Sequence, residues 1–160
     1  MKKLPLFITA FAALLFVGCA STKQFVPMPD QSKTLDDPSK GRIYVMRPAT
    51  VGSAITMQVS DGGKLIGETG PHGYLCWERN AGETMITSAS EGASSAPLSV
   101  RQGGVYYLFQ HLRMGIWIAR SELEVVSAEE GQKVLKKCKP AKVVAPRHAP
   151  VQVSRADGGS

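Results

Sequence analysis

The chain predicts an all-β fold, an antiparallel β-sandwich closed by one C-terminal helix. Three observations lead there. Between Gly41 and Val126 apolar residues recur at every second position in short runs. Gly, Pro and Asp-Gly turns separate those runs at short intervals, as in sandwiches and barrels. No helical period occurs before Ser127.

The runs are taken in order. Arg42–Arg47 reads as a strand stopped by Pro48, and Ile55, Met57 and Val59 alternate with Thr56, Gln58 and Ser60 as a half-buried strand. Asp61-Gly62-Gly63 is a hairpin turn whose glycines accept positive φ, returning through Lys64–Glu68. Further strands are expected at Tyr74–Arg79, Thr84–Ala89, Pro97–Arg101, Val105–Leu112 and Ile116–Arg120, with Leu123 and Val125 extending or following the last. Ser127-Ala128-Glu129-Glu130 has the form of a capping box. A helix from there to about Lys137 puts Val134, Leu135 and Cys138 on one face.

Around this core, 41–138, the chain divides into a leader, 1–18, an N-terminal segment, 19–40, and a basic tail, 139–160. Lys2 and Lys3 precede the apolar stretch Leu4–Val17. As a helix this stretch spans about 21 Å, short of the roughly 30 Å hydrocarbon core, so it reads as a signal peptide rather than a membrane span. It ends Leu15-Phe16-Val17-Gly18-Cys19-Ala20. This ending resembles the lipobox of bacterial lipoproteins. The resemblance implies lipidation of the Cys19 thiol, cleavage before it and acylation of the new amino group. Ala20, not being Asp, implies the outer membrane, facing the periplasm. Two or more acyl chains would hold firmly where one would not. The stretch Ser21–Lys40, with Pro27, Pro29 and Pro38 and no apolar period, is expected to be a flexible tether.

Lipidation of Cys19 leaves Cys76 and Cys138. In an oxidising compartment these are expected to pair, closing a loop of about 62 residues worth about 4 kcal/mol. The alternative is two buried free thiols.

The 160-residue chain carries a formal charge of +6. The excess lies from Lys133 onward, where Lys133, Lys136, Lys137, Lys139, Lys142, Arg147 and Arg155 face Asp157 alone. A basic end on a neutral body suits an anionic surface such as lipid headgroups or an acidic polymer, or serves solubility only. Nucleic acid is not expected as a partner of an exported chain. The last segment, with three prolines and a terminal Gly-Gly-Ser, is expected to be disordered.

Within the core the order of several short motifs is informative: Ile43-Tyr44-Val45-Met46-Arg47-Pro48, Asp61-Gly62-Gly63-Lys64-Leu65-Ile66-Gly67, Gly73-Tyr74, Ala81-Gly82-Glu83, Gly103-Gly104-Val105-Tyr106-Tyr107 and Glu129-Glu130-Gly131. From Gly41 to Lys137 the chain resembles a family of small bacterial lipoproteins whose domain is known only as one of unknown function. The resemblance implies an immunoglobulin- or transthyretin-like sandwich of the kind that decorates envelope proteins. It brings no activity and no catalytic residues.

No nucleophile elbow, zinc-protease helix, P-loop or dinucleotide fingerprint occurs, and His72, His111 and His148 lie at no informative spacing from a nucleophile. Neither catalysis nor a metal or other cofactor is expected. The strongest local signal is Val105-Tyr106-Tyr107-Leu108-Phe109 followed by Ile116-Trp117-Ile118. Both faces of the first strand are apolar, which fits a central strand covered on both sides. The functional alternative is that Tyr107, Phe109 or Trp117 surfaces beside Arg113 and Arg120 as a docking or sugar-stacking patch. The leading functional expectation is a membrane-anchored envelope lipoprotein that binds an envelope protein or an anionic polymer. A purely structural lipoprotein is the alternative, and an envelope hydrolase the third.

Overall fold

A computed structural model of the protein describes residues 20–49, 52–114 and 119–145. Among them the elements run β1 (Lys23–Gln24), β2 (Lys40–Met46), β3 (Met57–Asp61), β4 (Lys64–Thr69), β5 (Gly73–Asn80), β6 (Gly82–Ala89), β7 (Ala93–Val100), β8 (Val105–Met114), β9 (Ala119–Val126), α1 (Ala128–Leu135), β10 (Lys139–Pro140) and β11 (Lys142–Val143). One sheet has the order β11-β1-β4-β3-β6-β7 and the other β10-β5-β2-β8-β9. The fold is an all-β sandwich with one short helix near its C-terminus. No helix among the described residues is long and apolar enough to cross a membrane.

Period-two alternation fills the interior. Val59, Ile66, Ile86 and Leu98 of the first sheet meet Ile43, Val45, Leu75, Trp77 and Leu108 of the second. The alternate residues of the second sheet, Tyr44, Met46, Tyr74, Cys76, Tyr107 and Phe109, form a second apolar layer on its outer face. Helix α1 covers that layer with Val134 and Leu135. Ser127 caps the helix, its hydroxyl accepting from the Glu130 N–H. Gly131 lets the helix lie close, since a Cβ there would sit 2.2 Å from Cγ of Tyr107. Tyr107 in turn stacks on Tyr44 with ring centroids 5.2 Å apart. A polar chain also links the sheets: Thr69 donates to Gln110, Gln110 donates to Ser88 at 2.5 Å, and Ser88 shares a hydrogen bond with Ser121.

Three expectations are corrected. The sandwich is mixed rather than antiparallel, because β2 pairs in parallel with β8, Arg42 opposite Val105 through Met46 opposite Phe109. Parallel neighbours need a crossover, here supplied by the strands between β2 and β8, and turn signals report hairpins rather than such distant pairings.

Secondly, Ser21–Lys40 is not a free tether. β1 pairs with Glu68 and Gly67 of β4, and Gln24 is fully buried. The Gln24 amide donates to the Cys76 carbonyl at 2.8 Å and accepts from the Cys76 N–H at 2.9 Å, substituting for a strand at the edge of β5. Glycines make the seat: a Cβ on Gly67 would lie 2.3 Å from the Lys23 carbonyl oxygen, and one on Gly70 would lie 1.9 Å from that of Ala20. Farther on, the Asp30–Asp37 loop is tied down by Arg42 and Glu78.

Thirdly, the chain after Cys138 remains part of the fold as far as Val144. Lys139–Val143 passes from one sheet to the other, β10 running parallel to β5 and β11 parallel to β1. Ala141 is buried between these two pairings. Two-residue strands carry no readable period, so only their distant partners define them. Residues 146–160 of the expected disordered tail lie outside the described residues, as does the leader 1–18.

Registers give the sandwich two distinguishable ends. Met57 lies opposite Thr69, Met46 opposite Tyr74, and the Gly70–His72 turn joins β4 to β5 across the sheets. Ala20 is at this end, its N–H donating to the Ser53 carbonyl at 3.1 Å. Asp61 opposite Lys64, and Lys40 opposite Asn80, mark the far end. Strands of six to eight residues separate the two by about 20–25 Å.

Candidate functional site

At the far end β3 stops at Asp61, where the hairpin of Gly62 and Gly63 turns back into β4. The Asp61 carboxylate is nearly enclosed and accepts three hydrogen bonds: from Trp77 Nε1 at 2.8 Å, Arg79 Nη1 at 2.8 Å and the Thr84 hydroxyl at 2.5 Å. It therefore joins the first sheet to β5 of the second. Beside it, Arg42 and Glu78 face each other across β2 and β5. Arg42 is fully buried; its Nη2 and Nε donate to Glu78 Oε1 at 2.7 and 3.0 Å. Its Nη1 donates to the carbonyls of Asp30 and Lys33 at 3.0 and 2.7 Å. The Glu78 carboxylate also accepts the backbone N–H groups of Asp36 and Asp37 at 2.8 and 3.2 Å. One buried ion pair thus fixes both arms of the Asp30–Asp37 loop.

That loop is one wall of a cleft of about 460 Å³. Its floor is apolar, from Val26, Ile66 and Trp77, with Pro27, Met28 and Pro29 along one side. Lys40, Lys64, Asp36 and Asp37 supply the charges at its margin. Hydrogen bonds from the side chain and backbone of Ser39 hold the Asp37 carboxyl below its ordinary range, and Lys40 pairs with it at 3.4 Å. Lys64 is exposed and makes no ion pair among the described residues. The carboxylates of Asp61 and Glu78 are occupied by internal donors. The cleft is thus a concavity whose apolar floor is nearly covered, Trp77 being 3% exposed, and whose accessible part is the margin of Lys40, Lys64, Asp36 and Asp37 with Pro27 and Met28 beside it. A smaller cavity of about 300 Å³ lies between Gln31–Thr34 and the start of α1, above Tyr44 and Tyr107. No group of three or more His, Cys, Asp or Glu among the described residues is placed to hold a metal.

The residues marked in the sequence fare differently. Cys19 and Trp117 lie outside the described residues. The aromatic patch is corrected: Tyr107 and Phe109 are 5% and 6% exposed, in the layer beneath α1, and present no docking surface. Arg113 and Arg120 do come together, directly opposite each other on β8 and β9 and both exposed. Arg113 is engaged by Glu122 at 2.6 Å. The Cys76–Cys138 bridge is corrected as well, for both are free thiols. Lys139 pairs with Gly73, three positions before Cys76 and so about 10 Å away along β5, beyond the reach of a disulfide from the neighbouring Cys138. Burial pushes the Cys76 thiol up to about 11, so it stays protonated at neutral pH.

Sequence reasoning missed Asp61, Lys64, Trp77 and the Arg42–Glu78 pair as parts of one site. Asp61 was read as a turn residue only. Arg42 and Glu78 did carry a signal, opposite charges at the ends of two strands, but it becomes legible only once the two strands are known to be neighbours.

No family model matches the chain, and no solved structure matches it. It is 30% identical over 129 residues to an uncharacterized protein of Haemophilus influenzae, an alignment covering 78% of this chain and 77% of that one. The chain belongs to the same family as that small bacterial protein.

Proposed function

We propose that the protein is an envelope lipoprotein, anchored through Cys19 in the outer membrane and facing the periplasm, that binds an envelope protein or polymer in the cleft over Trp77. The observation that carries this reading is the separation of the two ends. Ala20, next to the proposed anchor, is seated by Ser53 and Gly70 at one end, and the cleft lies at the other. A domain held in this way presents its cleft away from the bilayer, toward whatever occupies the periplasm. The lipobox-like sequence ending at Cys19 supports the anchor.

Two measurements in intact cells test the two halves. Cys19→Ala should move the protein from the membrane to the soluble fraction; continued membrane retention contradicts the anchor. A photocrosslinking residue at Lys64, on the cleft margin, should give a discrete adduct that the same residue at Gln58, exposed on β3, does not. Equal yields at the two positions, or none at Lys64, count against the cleft as the binding surface.

A further inference from the structure

The end of the sandwich that carries Ala20 also carries a group of lysines. Helix α1 finishes there, and the chain leaves it through Lys136, Lys137 and Lys139, all exposed. The Lys139 N–H donates to the His72 carbonyl at 2.7 Å, which fixes this segment against the Gly70–His72 turn. One pairing farther on, Lys142 lies opposite Lys23, and its N–H donates to the Thr22 carbonyl at 3.1 Å. None of these five lysines forms an ion pair among the described residues. Glu68, opposite Lys23, is the acidic residue paired into this edge. Asp30, Asp36, Asp37, Asp61 and Glu78 belong to the far end and its loop. Glu91, Glu122 and Glu124 lie toward the Ala20 end but away from this edge, in the β6–β7 turn and on β9, where Glu122 pairs with Arg113 and Glu124 with His111.

We infer that this edge is a binding surface for anionic phospholipid headgroups, and that Lys136, Lys137 and Lys139, flanked by Lys23 and Lys142, bind their phosphates. The inference rests on the reading of Cys19 as the anchored residue. Ala20 is docked, and by covalent geometry the neighbouring Cα lies about 3.8 Å from its own. A lipid attached at Cys19 therefore has no slack segment between it and the folded domain, and the lysines of the same end are brought within a Debye length of the headgroups. Each lysine so placed strengthens binding to an anionic leaflet by about fivefold. The basic edge adds a second attachment beside the anchor and so reinforces the end-on placement of the domain.

The test uses the mature, natural protein reconstituted into vesicles of phosphatidylcholine alone and of equal parts phosphatidylcholine and phosphatidylglycerol. Mass analysis first establishes whether Cys19 is acylated. Lysines are then acylated with a water-soluble amine reagent, with Lys64 at the far end as the internal reference. Expected in the anionic vesicles is a slowing of about fivefold or more at Lys136, Lys137 and Lys139 relative to Lys64. High salt should remove the effect. Acylated Cys19 with these lysines reacting as fast as Lys64 overturns the inference and leaves the anchor standing. Slowing that is equal in detergent or in phosphatidylcholine alone overturns it too, because headgroup charge would not be the cause. Absence of acyl chains on Cys19 removes the anchor reading and the inference with it.

Discussion

Arg42→Ala should destabilise the fold by about 3–5 kcal/mol, the cost of leaving a charge partner buried and unpaired. The substitution strips Glu78 of two hydrogen bonds and the carbonyls of Asp30 and Lys33 of one each. It removes two hydrogen bonds and the 3.6 Å ion pair with Asp36 from the Asp30–Asp37 loop, so the loop should also become a site of proteolysis while the sheets remain folded. Glu78→Ala should act through the other arm, releasing the N–H groups of Asp36 and Asp37. Because both residues serve one unit, the double variant should cost clearly less than the two single costs added together. Urea denaturation of the four proteins measures this; simple additivity would mean that the pair does not act as a unit.

Trp77→Ala should cost about 3–5 kcal/mol, as for other buried aromatic truncations. Trp77 is 3% exposed, packs with Val26 and Ile66, and floors the cleft. It also supplies one of the three donors to Asp61. Trp77→Phe keeps most of the apolar area and loses the donor, so it should cost about 1–3 kcal/mol, the price of an incompletely satisfied polar partner. Thermal or denaturant unfolding separates the two contributions. Equal losses from both variants would place the stabilisation in the hydrogen bond rather than in packing. The binding reading adds a second expectation: crosslinking from Lys64 should fall in Trp77→Ala under conditions where the variant remains folded.

What the sequence made legible was local. β2 to β6 and β8 were readable from alternation and turn residues. The Ser127 cap was readable because it depends on residues three positions apart. β7 began earlier than expected, at Ala93 rather than Pro97, because Ala93-Ser94-Ser95-Ala96 has its two small apolar residues three positions apart and so shows no period of two. The segments misread were those defined by distant partners. Lys23–Gln24 and Lys139–Val143 have the composition of linkers, yet each is held by pairing with strands far off in the sequence. The glycines at 67 and 70 that make room for Lys23 and Ala20 were visible, but nothing local says which backbone they receive.

The same reason explains the fate of the sites. Alternation along Val105–Phe109 sets Tyr107 and Phe109 on one face and Leu108 on the other. It could not say that α1 would cover the first face, which decides between core and docking patch. Asp61 and Trp77 come from different sheets, and Arg42 meets a loop that the sequence had marked as free. The cleft exists only because N-terminal residues assigned to a tether form its wall.

That the N-terminal segment is a fixed part of the sandwich underlies the cleft, the orientation and the lipid-facing edge alike. Amide hydrogen exchange of the mature protein in vesicles tests it most directly, at Phe25, whose N–H donates to Ile66, and at Lys142 and Val144, whose N–H groups donate to Thr22 and Gln24. Slow exchange at all three, within the range of the sheet amides, is the expected result. Exchange at the rate of an unstructured chain would mean that residues 20–24 swing free, and the account of an end-on, docked domain would be wrong.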